Sequence, residues 1–475
     1  MSRVTRRGLI QTGIAAAAGA ALGGFGARAW RKSRKVRPAA NVVFILIDTL
    51  RADHLGCCGY TRATSPNIDA LAAQSAVYLR NKSQSSLTTP SMASLFTSRL
   101  LLEHFVPPDM PTLPAILKRA GYRTIGIQSN PWLDQKRGFT RGFDDYRMLA
   151  PEGSETELLE WEKKTVDRNV FYADAEAVFQ AARRAIESLD AARPFFLYLH
   201  YMDVHGPYVP KDEFDVFSAA RTTFSEKLRV SSDFMTRSED FLAKVDRLKD
   251  TVIALYDGEI RGADHSIGNI LTLLKDKGLY DRTTVIIASD HGEHFGEHGR
   301  VQHANGLYEE VLHTPLIAKS AGQSQRSDRK FLTSNADIAR AILFEVGFKP
   351  YHVAPYALEG RSLQGVPSDA PELCKAALIA HDFKDGYFSV EKEGFKLIVE
   401  TGMEPAAARP DRFMLFNTWK DPSEDVDLSK STPSKVEELI ACLERYRKKP
   451  LKRTDIEKTM THEEREKLEA LGYAN

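Results

Sequence analysis

Short apolar runs that end abruptly in chemistry-bearing residues recur along this chain. Asn41 to Ile47 (NVVFILI) and Thr284 to Ala288 are nearly continuous and β-branched, the pattern of parallel strands buried on both faces. FFLYL after Pro194, YRTIGIQS after Gly121 and the end of VQHANGLYEEVLHTPLIAK predict further strands. Between them the spacing turns helical. Residues 172–190 are amphipathic, and from Asp246 to Lys277 the apolar positions Val252, Leu255, Ile260, Ile267, Leu271 and Leu274 share one face that Gly278 closes. Ser65 and Pro66 open one helix, Thr112 caps LPAILKRA before Gly121, and Ser334 or Asn335 begins a helix ending at Gly347. Residues 211–244 read as a polar excursion. Together these elements predict an α/β fold over residues 39–370: a large mixed, mostly parallel sheet flanked by helices. Within 371–475 the pattern changes to a hairpin (GYFSVEKEGFKLIVET), a third strand (DRFMLFNTWKDP) and a covering helix (STPSKVEELIACLERYRKK), a small C-terminal α+β subdomain with a helical tail.

Ligands of open α/β sheets bind outside the carboxyl ends of the strands, so the residues that end these runs are the candidates for chemistry. Asp290, His291 and Gly292 follow one strand, with Gly292 free to turn the backbone tightly, and Asp48 follows another. A carboxylate beside an imidazole suits a divalent metal, although an Asp-His turn or a helix-capping Asp is the plain alternative. The strand FFLYL delivers HYMDVHGPY, with Asp203 and His205, onto the same edge; His303 returns near it, and Asn130 stands at the end of YRTIGIQS as a candidate substrate contact. Pro90 is placed to begin a helix through MASLFTS, which would set Thr88 and Thr89 at its amino end, where a hydroxyl meets a bound anion. Either threonine could instead merely cap that helix.

Charge narrows the partners. Lys plus Arg number 65 against 64 acidic residues, so no global field attracts a polyanion and nucleic acid is excluded as a partner. The first residues are a targeting segment: Arg6 and Arg7 precede the small-residue apolar run IAAAAGAALGGFG and an A-x-A site at Ala27 to Ala29, which resembles a twin-arginine export signal over 1–38. A Sec signal or an uncleaved anchor is the alternative, and only the anchor would associate the protein with a membrane. Either predicts a periplasmic or extracytoplasmic location. Cys57, Cys58, Cys374 and Cys442 have no zinc-type spacing, and their pairing is not legible. The basic run at Arg445, Arg447, Lys448 and Lys449 reads as a solvated helix face. Nothing in the sequence speaks to oligomeric state.

The order of ILIDTLRADHLGCCGY, TSPNIDALAAQS, TTPSMASLFTS, HYMDVHGPY, YDGEIRGADHSIG, SDHGEHFGEHG, HANGLYEEVLHTPL and FMLFNTWKDPSEDVDLS, with the closing LEALGY, resembles the sulfatase branch of the alkaline phosphatase superfamily from about residue 40 onward. The resemblance implies an alkaline phosphatase-like sheet, a metal held by Asp48, Asp290, His291 and the Thr88 hydroxyl, and His205 and His303 as catalytic groups holding the ester's oxyanion. One calcium, manganese or zinc ion is implied; a second would enlist Asp203, His205 and His303. Three departures qualify it. Where a sulfatase has the Cys or Ser of C/S-x-P-S-R, converted to formylglycine, this chain has Thr88, which cannot form that aldehyde, and Met92 replaces the motif's Arg. The K-x-H sulfate-binding motif is replaced by Ser129-Asn130-Pro131-Trp132, and Thr49 stands where a second acidic ligand would follow Asp48. Threonine as nucleophile resembles the phosphodiesterases, phosphonate hydrolases and phosphoglycerol or phosphoethanolamine transferases of the superfamily. The implied activity is therefore hydrolysis or transfer of a phosphoester, a phosphodiester or phosphonate monoester, on a small-molecule, lipid or glycan substrate, by a Thr88 alkoxide whose pKa the cation lowers. A sulfatase lacking formylglycine and a non-catalytic binding protein are the alternatives.

Overall fold

The computed structural model describes residues 40–101, 103–150, 172–190, 193–219, 222–235, 241–356, 358–361, 363, 375–381, 385–402 and 412–447. The export segment at 1–38, Cys374, Lys448 and Lys449 of the basic run, and the LEALGY tail lie outside the described residues.

Eight strands form the main sheet: β1 (Asn41–Ile47), β2 (Ala76–Tyr78), β3 (Arg123–Gln128), β4 (Asp145–Met148), β5 (Phe195–Tyr201), β6 (Thr283–Ala288), β7 (Leu316–Lys319) and β8 (Ser327–Arg329), in the spatial order β8-β2-β7-β6-β1-β5-β3-β4. Central β1 pairs parallel with both β5 and β6, and every residue of these three strands is buried, which is why their sequences are apolar without alternation. On the other side of β6, β7 runs antiparallel, so the sheet is mixed as expected.

Each face of the sheet has its own core. Val43, Ile45 and Ile47 of β1 pack on the side of α2 (Ala175–Glu187) and α3 (Phe241–Asp276). Val42, Phe44 and Leu46 face α1 (Thr88–Thr97) and α4 (Asn335–Glu345). The alternation of β1 thus feeds two helical layers. Helix α3 runs 36 residues and begins at Phe241 rather than Asp246, because the supposed polar excursion is itself partly helical, at Phe224–Met235. Ser65 does not cap the helix Pro66–Ala72; its hydroxyl bonds Asp69 and accepts from the Gly56 amide. Thr112 and the Ser334–Asp337 capping box hold their helices as the sequence suggests. Among the described residues no helix is long and apolar enough to cross a membrane.

The C-terminal part is an antiparallel sheet of β9 (Lys375–His381), β10 (Asp385–Lys392), β11 (Phe395–Gly402) and β12 (Arg412–Asn417), one strand more than the expected three, with α5 (Pro433–Arg447). Val390, Leu397, Val399 and Leu415 pack against Val436, Leu439 and Leu443 of α5. Tyr387, Ile398, Met414 and Phe416 turn the other way and pack on Leu307, Tyr308, Val311 and Leu312, so this sheet braces the segment running back from His303.

Candidate active site

Register brings the acidic strand ends together. Leu46 of β1 pairs with Ala288 of β6 on one side and with His200 of β5 on the other. Two residues onward in each of β1 and β6 stand Asp48 and Asp290, both fully buried, at one level of the carboxyl edge. Thr49 turns the chain away in the left-handed region, φ 54°, a strained conformation for a β-branched residue. Bonds hold it there: its hydroxyl donates to the Val204 carbonyl at 2.8 Å and its amide to Asp290 Oδ1 at 3.3 Å.

Helix α1 begins at Thr88 itself, two residues before the expected start, with Pro90 accommodated in the first turn, where a missing amide hydrogen costs little. No side chain caps it, so neither Thr88 nor Thr89 serves as a cap. The Thr88 hydroxyl lies 3.3 Å from His291 Nε2. Thr89 instead bonds His104 Nδ1 at 2.7 Å, and Ser86 accepts from the Ala304 amide at 3.1 Å. Of the three neighbouring hydroxyls, Thr88 is the one the fold aims at the acidic cluster. Ser91 ties the helix to it by donating to the Asp290 carbonyl at 2.7 Å.

Asp48, Asp290 and His291 each offer a ligand atom, all within 4.8 Å of one another. His291 Nδ1 sits 3.0 Å from the Gly292 carbonyl and must donate to it, which leaves Nε2 with its lone pair facing the carboxylates. Asp48 Oδ1 and Asp290 Oδ2 are buried with no hydrogen-bond partner among the described residues. Two buried carboxylates, each with an oxygen lacking a hydrogen-bond partner among the described residues, beside a lone-pair imidazole fit a divalent cation. Burial alone would push the Asp48 carboxyl up, but the His200 hydrogen bond and the field of His205, His200 and His291 hold it well below the carboxylate range. Asp290 is pushed up, by burial first and then by the Asp48 charge. A cation would hold both ionised.

The Asp48 contact with His200 was not legible in the sequence. His200 Nε2 lies 3.0 Å from Asp48 Oδ2, and its Nδ1 lies 2.9 Å from the Tyr198 hydroxyl. A carboxylate only accepts, so Nε2 carries the proton and Tyr198 donates to Nδ1. The chain Tyr198 to His200 to Asp48 fixes Oδ2 and leaves Oδ1 toward the metal position. The one signal available was alternation: Phe196, Tyr198 and His200 share the strand face that Asp48 continues.

His205 and His303 stand together, ring centroids 5.1 Å apart, and His303 is 4.6 Å from His291. Their surroundings shift them in opposite directions. His205 Nδ1 donates to the Gly206 carbonyl at 2.9 Å, and burial lowers its pKa to about 4, so Nε2 is an acceptor. Burial works against the charged form of His303 too, but Glu293, 3.2 Å from Nδ1, outweighs it and raises the pKa. Glu293, also unforeseen, is held in turn by the Tyr208 hydroxyl at 3.0 Å.

One expectation is corrected. Asp203 does not join the metal cluster: its Oδ1 accepts from the Ala175 amide at 2.7 Å, at the start of α2, and burial pushes its carboxyl up to about 7. A second metal on Asp203, His205 and His303 therefore loses its carboxylate. Asn130 is at the site: its amide donates to Asp48 Oδ2 at 3.3 Å and its Oδ1 accepts from the Trp132 amide at 3.0 Å.

A family model described as Sulfatase matches residues 40–346. The chain is 22% identical over 420 residues to an N-acetylglucosamine-6-O-sulfatase of Bacteroides thetaiotaomicron, covering 71% of this chain and 72% of that protein. It is 23% identical over 413 residues to a multifunctional alkaline phosphatase superfamily protein of Trinickia caryophylli, covering 69% and 78%. Of solved structures, the phosphonate monoester hydrolase of Agrobacterium radiobacter superposes with a TM-score of 0.63 at 19% identity, over 86% of this chain and 96% of that one. A protein solved with its substrate D-glucosamine-2-N,6-O-disulfate gives 0.64 at 19% identity, over 88% and 100%. At such identities the structural likeness speaks for the fold.

Proposed function

We propose that this chain, which belongs to the sulfatase family of the alkaline phosphatase superfamily, is a metal-dependent hydrolase or transferase of phosphoesters, with a phosphodiester or phosphonate monoester of a small molecule, lipid or glycan as substrate. The observation that carries this reading is Thr88: a hydroxyl that cannot become an aldehyde occupies the amino end of α1, 3.3 Å from His291 Nε2. Asp48, Asp290 and His291, with the Thr88 oxygen, would hold the cation. When bound, it lowers the hydroxyl's pKa and neutralises charge gathering on the transferring group.

The side chains divide the remaining work. Thr88, its hydroxyl acidified, releases its proton to solvent water and attacks phosphorus; the Thr88 O–P bond forms as the P–O bond to the leaving group breaks. His303, its pKa raised by the Glu293 carboxylate that holds Nδ1, donates its Nε2 proton to the departing oxygen. His205, with its lone pair on Nε2, takes a proton from the water that then cleaves the threonine ester. In transfer an acceptor hydroxyl replaces that water. The paired Arg6 and Arg7 make export by the twin-arginine route part of the reading.

A second reading, sulfate-ester hydrolysis without formylglycine, is favoured by the relatives named as sulfatases. A substrate panel on the metal-loaded enzyme separates the two. The phosphodiester and the phosphonate monoester should give the highest kcat/KM, the phosphate monoester less and the aryl sulfate least. An aryl sulfate turned over fastest would overturn the proposal in favour of the second reading.

A further inference from the structure

We propose that His104, Ser129 and Gln128 form a subsite beside the nucleophile for the substituent that stays on phosphorus, and that this subsite takes an alcohol bearing free hydroxyls. It presupposes phosphoester chemistry at Thr88 and adds which half of the substrate is recognised there.

A chain of contacts leads from the nucleophile round to the metal ligands. Thr89, next to Thr88, meets His104 Nδ1 at 2.7 Å, and His104 lies in the field of Arg137. The Arg137 guanidinium sits 4.6 Å from the centre of the Trp132 ring. The Trp132 amide donates to Asn130 Oδ1, and the Asn130 amide donates to Asp48 Oδ2. A backbone bond from the Val106 amide to the Arg137 carbonyl, 2.8 Å, ties the segment that carries His104 to the one that carries Trp132. In an in-line displacement the leaving group departs opposite Thr88, where His303 protonates it, so groups beside the nucleophile adjoin the substituent that remains.

Three side chains of this wall keep polar atoms available. The His104 ring is half-buried, and with Nδ1 on Thr89 its Nε2 has no hydrogen-bond partner among the described residues. Ser129 Oγ and both polar atoms of the Gln128 amide are buried and likewise without a hydrogen-bond partner among the described residues. Ser129 directly precedes Asn130. Because β3 pairs with β5 through Ile127 and Leu199, the next step sets Gln128 beside His200, the residue that holds Asp48. Buried atoms of this kind are met by a ligand or by water that the ligand displaces.

Charge selects the class of ligand. Arg137 Nη1 pairs with Asp134 Oδ2 at 2.8 Å, and Asp134 Oδ1 accepts from the Arg137 amide, so this pair leaves neither a lone cation for a second phosphate nor a lone carboxylate for an amine. Burial, and then the Arg137 charge, lowers the His104 pKa to about 4, so the ring is neutral at pH 7 and Nε2 donates or accepts according to tautomer. An imidazole, a hydroxyl and a primary amide together match hydroxyl groups, which donate and accept alike.

Calorimetric titration of the metal-loaded full chain with propyl phosphate and glycerol 1-phosphate tests this, because the two esters differ only in their hydroxyls. Wild type should bind the glycerol ester about 5–10-fold more tightly, as expected for one or two neutral hydrogen bonds. His104→Asn keeps an atom in the Nδ1 position for Thr89 but removes Nε2, and should bring that ratio to about 1. His104→Gln, which places an amide atom near the Nε2 position, should recover part of the ratio, and Ser129→Ala should lower it. Glucose 6-phosphate, titrated alongside, distinguishes the sources: sensitivity of its affinity to His104→Asn assigns the subsite to a sugar, and sensitivity confined to the glycerol ester assigns it to glycerol, either of which upholds the subsite. Equal affinities in wild type, or loss of both affinities at an unchanged ratio in His104→Asn, would overturn the subsite and leave the phosphoester reading standing. If wild type binds none of these esters, the phosphoester reading falls and the subsite with it.

Discussion

At the carboxyl edge of the main sheet, Asp48 and Asp290 are buried with one oxygen each left open, whereas behind the same loop an equally buried set of charges closes on itself. There Lys396 donates to Glu309 at 2.9 Å and to Glu424 at 3.1 Å, Lys82 pairs with Glu309, and Arg80 reaches Glu391 at 2.7 Å. Both regions bury carboxylates, and in the second each of them pairs with a lysine or arginine. The closed network fixes the C-terminal sheet against the catalytic domain; the open one keeps ligand atoms available at the price of stability. The difference says where to look for function in a buried polar cluster: at the atoms for which the protein itself provides no partner.

The largest expected effect breaks the closed side. Lys396→Met would leave Glu424 buried without its cation and Glu309 with Lys82 alone, and should cost about 3–5 kcal/mol of stability, measured by chemical denaturation. Because Lys396 touches no proposed reacting group, kcat of the folded fraction should hold. A loss of activity without a loss of stability would mean the two clusters are not separate.

On the open side, Thr88→Ala should lower kcat by ~10²-fold or more, as expected for a covalent nucleophile. Thr88→Ser should keep part of the rate, since the hydroxyl survives. Zinc or manganese affinity of Thr88→Ala should fall only modestly, because three ligands remain. Activity within about threefold of wild type would remove Thr88 from its role, against the ~10²-fold expected. Thr89 and Ser86, committed to His104 and Ala304, would then need testing in turn.

His200 sharpens the comparison, because it is what prevents the open side from closing. Holding Asp48 Oδ2 leaves Oδ1 for the metal, so His200→Ala should weaken metal affinity by about 10–100-fold. Tyr198→Phe should produce a smaller loss. His200→Gln, whose amide can still donate, should recover much of it. Metal titration followed by calorimetry reads this directly, and an unchanged affinity in His200→Ala would reduce the contact to packing.

What the sequence made legible follows the same division. The strands and their acidic ends were readable because an apolar run stopping at Asp48 or Asp290 is a local signal, and the two-residue step past paired positions does the rest. Thr88 was readable from its offset to Pro90. His200 and Glu293 were not, since a histidine inside a buried strand and a glutamate in a loop acquire roles only from partners 152 and 10 residues away, once the register is set. The Lys396 network joins residues 87 apart and leaves no local trace. Asp203 was misread for the converse reason. It sits two residues before His205, yet the start of α2 packs there and takes its carboxylate.

That misreading gives the smallest effect, and the one that turns on pH. Asp203 Oδ1 is bonded by the Ala175 amide, but Oδ2 is enclosed without a partner among the described residues, and burial raises the carboxyl from 3.8 to about 7. Between these values the folded protein keeps a proton that the unfolded chain has released. A raised carboxyl therefore stabilises most fully at low pH, and that contribution is lost as pH climbs through about 7. Asparagine preserves the acceptor for Ala175 and cannot ionise. Because the side chain is only partly enclosed, solvent screening trims the effect, and Asp203→Asn should raise Tm by about 2–4 °C at pH 8 and by little at pH 4.5. Thermal melts at the two pH values decide it. An equal gain at both, or a loss at pH 8, would show that Asp203 is ionised and satisfied in the folded protein, and would return it to the list of groups open to a ligand.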